Sequence, residues 1–79
     1  MLLEIITPDK KVFEGEVSSV LVPGSKGRFQ MLENHVAIIS TLINGIVKVK
    51  TTSGEERFDV KGGVVEMLQN KVIILAESA

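Results

Sequence analysis

The sequence predicts an all-β domain, an antiparallel sandwich or barrel of many short strands. Three observations carry this. First, the apolar pattern has a period of two rather than 3.6. In Glu55-Glu56-Arg57-Phe58-Asp59-Val60-Lys61, the residues Glu55, Arg57, Asp59 and Lys61 fall on one face and Phe58 and Val60 on the other. Successive strand side chains point to opposite faces, so this is a half-buried strand. Second, Asn44-Gly45, Ser53-Gly54 and Gln69-Asn70 punctuate the pattern as hairpin turns do. Third, many such runs are evenly spaced in a chain of only 79 residues, which suits a sandwich or barrel.

Taken in order, LLEIIT at 2–7 is a short β-branched run and is expected as a strand. Pro8 then presets the second position of a tight turn, with Asp9 next. Segment 16–22, EVSSVLV, alternates more loosely. Gly24 and Gly27 bracket Ser25-Lys26 in a turning loop, and RFQML at 28–32 follows as another strand. The apolar run VAIISTLI at 36–43 suits a buried strand or a short helix. Its length, its β-branched Val36, Ile38, Ile39, Thr41 and Ile43, and the Asn-Gly after it favour the strand.

Asn44-Gly45 is expected to form a hairpin into the strand 45–52, because both residues tolerate positive φ. Ser53-Gly54 leads into 55–61. Gly62-Gly63 interrupts a strand pattern, as a bulge or a close backbone approach does. Gln69-Asn70 is a third hairpin, and KVIILA at 71–76 the last strand. No repeat, linker or low-complexity tract divides the chain, so 1–79 is one domain.

Composition narrows the function. Hydrophobic residues make up 44% and charged residues 24%, as in ordinary globular domains. A core this small rarely supplies more than about 3–5 kcal/mol of net stability, and there is no cysteine to staple it. One histidine without cysteine does not make a zinc site. The domain therefore folds on well-formed packing or leans on a partner. A net charge of −1 and an aromatic content of 4%, without Trp or Tyr, argue against nucleic-acid binding. No apolar run approaches the roughly 20 residues of a membrane span, and MLLEIITPDKK is no signal peptide. A reducing, cytosolic setting is expected, without direct membrane insertion.

The residues offer little chemistry. Gly24-Ser25-Lys26-Gly27 lacks the GxxxxGK[ST] spacing of a phosphate-binding loop, and a strand rather than a helix follows it. His35 as a catalyst needs an oriented partner. Glu33 and Ser40 are near in sequence, but nothing places them. Lys71 at a hairpin raises a carrier reading, because biotinyl and lipoyl domains are all-β, similar in length, and modified on a hairpin lysine. Its flanks, Gln69-Asn70 and Val72-Ile73, lack the Met or acid usual there. The residues alone thus describe an all-β module that works by binding protein, with no cofactor.

At residues 15–47, GEVSSVLVPGSKGRFQMLENHVAIISTLINGIV, the sequence resembles the epsilon subunit of F-type ATP synthase. The family pattern there is a Gly, a valine-rich V-P-G with a small residue and x-G-x, a hydrophobic strand, P-G-H-x-P, and L-x-x-G. The matches are Gly15, Val20, Val22, Pro23-Gly24-Ser25, Gly27, His35, Leu42 and Gly45. A second block, Lys61-Gly62-Gly63-Val64-Val65-Glu66-Met67 and the run from Lys71 to Ala79, extends the likeness over the whole chain.

The resemblance implies a ten-stranded flattened antiparallel β-sandwich. It implies a non-catalytic rotor subunit that binds gamma, touches the polar loops of the c-ring, and sits peripherally at the cytoplasmic face of the bacterial plasma membrane. Within it, Arg28, Met31, His35 and Ser40 are the expected partner-binding residues, and Gly24, Gly27, Asn44, Gly45, Gly62 and Gly63 the structural turns. Three departures stand out. P-G-H-x-P is here Glu33-Asn34-His35-Val36-Ala37, with Asn34 in the glycine position. The position after Gly27, commonly acidic in the family, is Arg28. The two-helix hairpin that inhibits ATP hydrolysis in relatives, and binds ATP in some, has no counterpart in the 79 residues, so a coupling-only role is expected.

Overall fold

A computed structural model describes residues 1–79 as nine strands: β1 (Leu2–Ile6), β2 (Lys11–Glu16), β3 (Ser19–Gly24), β4 (Gly27–Leu32), β5 (Ile38–Leu42), β6 (Gly45–Thr51), β7 (Gly54–Val60), β8 (Gly63–Leu68) and β9 (Lys71–Leu75). One hydrogen-bonded path runs β2-β1-β9-β8-β5-β3-β6-β7, and β4 pairs with β3. The path folds over where β5 meets β3 through the single pair Gly24–Leu42. A five-stranded half, β2-β1-β9-β8-β5, thereby faces a four-stranded half, β4-β3-β6-β7. The all-β sandwich expected from the sequence is the observed fold, with nine strands in place of ten.

One pair is not antiparallel. β1 and β9 run parallel, from Leu2–Lys71 to Ile6–Leu75. Parallel neighbours need a long connection, and these two strands lie at opposite ends of the sequence.

The expected strand 16–22 is two strands with a corner between them. Val17 N–H donates to Met1 O at 2.9 Å, and Ser18 N–H donates to Lys50 O at 2.8 Å. Adjacent residues thus bond to different halves, so the chain changes sheet there. β2 was not legible in the sequence because its register slips: Ile5 opposes Phe13 while Ile6 opposes Lys11. Val12 is the extra residue of a bulge, which breaks the period of two.

Asn44-Gly45 is not a hairpin either. β5 pairs with β8, and β6 pairs with β3 and β7. The dipeptide carries the chain from one half to the other, and neither residue has positive φ. Gly45 serves instead for close approach, since a Cβ there would lie 2.9 Å from Pro23 Cβ. The other punctuation behaves as expected. Gln69 and Asn70 take φ of 49° and 63° at the β8–β9 turn, the backbone twist that matches paired strands. Gly54 takes 127° at the β6–β7 turn and Gly27 takes 126° after the Ser25-Lys26 tip.

The core lies between the halves. Leu3, Ile5, Val65, Val72 and Ile74 of the first meet Val20, Val22, Met31, Val47, Val49 and Val60 of the second, all fully buried. Gly24–Leu42 closes one side of the sandwich. On the other, Phe13 of β2 meets Phe58 of β7 edge-on, with ring centroids 5.5 Å apart. That geometry aligns a positive ring edge with a negative ring face, and it joins the two strands that would otherwise end the path.

Candidate functional site

The outer faces of the two halves differ in chemistry. On the four-stranded half, the outward residues include Arg28, Lys48, Lys50, Glu55, Arg57 and Asp59, a mixed, charged face with Lys48 opposite Arg57 and Lys50 opposite Glu55. On the five-stranded half, outward positions of β5, β8 and β9 are largely apolar. Ile39 is 70% exposed, Leu68 56%, Leu75 52% and Val64 36%. Cross-strand register groups them: Val64 opposes Leu75, and Glu66 opposes both Ile39 and Ile73. A shallow hollow of about 240 Å³ runs between Ala37–Ile39 and Glu66–Leu68. Contiguous apolar surface of this kind marks interaction sites.

The strand sequences dictate this face. Val36-Ala37-Ile38-Ile39 and Met67-Leu68 are unbroken apolar runs. A strand alternates its sides, so an unbroken run buries every second residue and exposes the others. Ile38 and Met67 turn inward, and Ile39 and Leu68 turn out. The unbroken apolar run 36–43 predicts a buried strand, whereas the structure leaves its outer side, Ile39 and Ile43, exposed.

Beside this face, loop 33–37 is braced from three directions. Asn34 has φ of 62°, the left-handed conformation that Asn tolerates better than most residues. Its N–H donates to Asn70 Oδ1 at 2.9 Å, while Asn70 O accepts Leu2 N–H at 3.1 Å. Met1 donates its ammonium to Glu33 Oε1 at 3.0 Å and to Val17 O at 3.1 Å. Burial pushes that amino group's pKa down, but its hydrogen bonds to Glu33 and Glu16 outweigh the effect and hold it above the usual value. His35 N–H donates to Leu32 O, completing the turn. The braced loop exposes Val36 to 75%.

The four expected partner-binding residues are not brought together. Arg28 sits beside the Ser25-Lys26 tip, and its guanidinium donates to Ile46 O at 3.1 Å on the charged face. His35 lies in the turn beyond the other end of β4, past Leu32. Its Nδ1 donates to Val36 O at 3.0 Å within its own loop. Ser40 is half-buried on the inner side of β5, in register with Val65, and its hydroxyl donates to Thr41 O at 2.9 Å. Met31 corrects the expectation of a contact surface: it is fully buried and in register with Val20, so it fills the core. Of the six expected turn residues, Gly27, Gly62 and Gly63 take positive φ, whereas Gly24, Asn44 and Gly45 do not; Gly24 is the last residue of β3, where a Cβ would meet Gly27 O and the Phe29 ring.

No catalytic arrangement forms around His35. Glu33 accepts from Met1 and Ser40 bonds the backbone, so neither partners the ring. Lys71 is the first residue of β9 rather than the hairpin tip. Its Nζ pairs with Glu4 Oε1 at 3.1 Å, and Lys11 pairs with Glu4 Oε2 at 3.2 Å. Hydrogen bonds from Lys71 and then Lys11 hold the Glu4 carboxyl below its usual pKa.

What these residues build is a binding module, a β-sandwich with one charged face, one apolar face and a braced loop at its end. Residues 1–79 match the family described as ATP synthase, Delta/Epsilon chain, beta-sandwich domain. The chain belongs to that family. It is 40% identical over 76 residues to the ATP synthase epsilon chain of Chlorobium limicola, covering 95% of this chain and 86% of that one. It is 42% identical over 80 residues to the epsilon chain of Desulfatibacillum aliphaticivorans, of which it spans 57%. Among solved structures, it is similar to a chain in the cryo-EM structure of the Euglena gracilis mitochondrial ATP synthase, OSCP/F1/c-ring in rotational state 1. The TM-score is 0.91 at 20% identity, covering 99% of this chain and 51% of that one. A chain of the Tetrahymena thermophila mitochondrial ATP synthase central stalk and c-ring gives a TM-score of 0.77 at 20% identity, covering 96% and 62%. At that identity these two comparisons report the fold.

Proposed function

We infer that the chain is an epsilon-type subunit of the central stalk of an F-type ATP synthase. It docks on gamma, meets the polar loops of the c-ring, turns with the rotor and does no chemistry itself. The observation that carries this reading is the family match over residues 1–79, strengthened by 40% identity to an epsilon chain over 95% of the sequence. It acts at the cytoplasmic face of the bacterial plasma membrane, held there by its complex.

The geometry supports docking as the mode of action. A standard interface takes roughly 800 Å² from each partner, about a sixth of the 4696 Å² this domain exposes. The apolar outer face of β5, β8 and β9, with Val36 at its edge, is the surface proposed for gamma. Arg28 is proposed to face the c-ring loops, which would then offer it an acid or a carbonyl. His35 contributes by holding its loop, and Ser40 by satisfying the edge of β5. A rotor element must transmit torque without yielding, and a sandwich closed on both sides resists shear.

The test is reconstitution. The chain is added to ATP synthase stripped of its own epsilon subunit, and proton-driven ATP synthesis is followed. Restored coupling is the expected result. Failure to join the complex, with the chain folded, would contradict the reading. Arg28→Glu is expected to weaken assembly, and unchanged assembly would remove Arg28 from the contact.

A further inference from the structure

The apolar face has one charged residue at its centre. Glu66 lies on the outer side of β8 with Val64 and Leu68 two positions away on its own strand, Ile39 opposite on β5 and Ile73 opposite on β9. None of these neighbours can neutralise a carboxylate, and Glu66 makes no ion pair. The lysines on this half are engaged elsewhere: Lys71 and Lys11 both bind Glu4. Glu66 also forms part of the wall of two shallow hollows. One, of about 240 Å³, lies toward Ala37–Ile39, and the other, of about 280 Å³, lies toward Lys71 and Ile73.

We propose that Glu66 is the specificity-determining residue of this face, and that the face takes a protein surface with one Lys or Arg set among aliphatic side chains. The inference rests on the docking role given above and deepens it. A partner covering Ile39, Val64 and Leu68 must also strip water from Glu66. A purely apolar surface leaves that carboxylate buried without a counter-ion and is rejected, whereas a cation placed opposite it is selected. An aliphatic group flanking the cation enters the hollow toward Ala37–Ile39, whose lining is apolar apart from Glu66; the other hollow, shared with Gln69 and Lys71, takes a polar group. An arginine fits best, because its planar fork meets both carboxylate oxygens and it is the cation most enriched in interfaces.

The experiment titrates the chain with the gamma subunit of the same ATP synthase by calorimetry, at low and at high salt. Glu66→Gln, Glu66→Lys and Ile39→Gln are compared with the unaltered chain, and each variant's Tm is recorded. Glu66→Gln should weaken binding about tenfold or more and flatten its salt dependence, and Glu66→Lys should abolish it, with Tm unchanged in both. Ile39→Gln removes apolar contact without adding charge beside Glu66. If Ile39→Gln weakens binding while Glu66→Gln binds as well as the unaltered chain, or more tightly, the assignment of Glu66 is overturned and the docking face stands. If Ile39→Gln has no effect, or the unaltered chain forms no complex, the docking face falls and this assignment with it.

Discussion

Gly63 shows what a single residue contributes to this fold. It has φ of 125°, and a Cβ there would lie 2.1 Å from Leu75 O. Only hydrogen fits between the two strands. Gly27 has nearly the same φ, 126°, but open space around it. Gly63→Ala is therefore expected to destabilise more than Gly27→Ala, by about 1–3 kcal/mol for the forced overlap. Urea unfolding of the two variants measures the difference. Met31 is a second residue-scale case. Truncation to alanine removes buried atoms from the core and should cost about 2–5 kcal/mol, read as a lower unfolding midpoint. The glycine pair was legible in the sequence as a break in a strand. For Met31 the sequence left contact surface and core packing both open, with one of Phe29 and Met31 expected in the core; only β4 laid on β3 shows that both turn inward.

At the scale of elements, the polar contacts between strands make separate predictions. Glu4 on β1 ties β2 through Lys11 and β9 through Lys71. Its pKa is lower in the folded state than in the unfolded chain. The stability it contributes is thus present above the unfolded carboxylate pKa and lost as pH falls through the folded one. Thermal unfolding of the unaltered chain and of Glu4→Gln should differ near neutral pH and converge in acid. A gap that persists at the acid end would show that the contribution is not ionic. The β8–β9 turn is linked to loop 33–37 by the Asn70 side chain. Asn70→Gly keeps the turn, since glycine accepts positive φ, but removes the acceptor. Hydrogen exchange at the Asn34 amide should quicken in Asn70→Gly and stay slow in Asn70→Asp.

Elements were legible where alternation and turn residues agreed. The strands around Ser53-Gly54 and Gln69-Asn70 are both hairpins, as expected. Reading failed where tertiary demands overrode local signals. Asn44-Gly45 has the composition of a hairpin turn, yet its backbone crosses between halves because β5 finds β8 and β6 finds β3. β2 was hidden by its bulge at Val12. Neither the parallel β1–β9 pair nor the Phe13–Phe58 contact leaves a local trace, since each joins residues distant in the chain.

For the whole molecule, asymmetry between the two outer faces is the feature on which the proposed docking rests. Nothing in the fold requires it, because the core is complete without Ile39, Leu68 or Val64 on the outside. Exposed apolar residues on a sheet face tolerate polar substitution with little effect on stability, usually within about 0.5 kcal/mol. Ile39→Gln and Leu68→Gln, which place no like charge opposite Glu66 or Lys71, should therefore leave Tm nearly unchanged while weakening assembly, which separates docking from folding.

The absence of cysteine lets single cysteines report which face docks on gamma. A single cysteine placed at Ile39 or Leu68, or at Arg57 on the charged face, can carry a photoactivatable cross-linker in the assembled ATP synthase. Cross-links to gamma are expected from Ile39 and Leu68 and none from Arg57. Cross-links to gamma from Arg57 alone would place the docking surface on the wrong side of the sandwich and contradict that expectation.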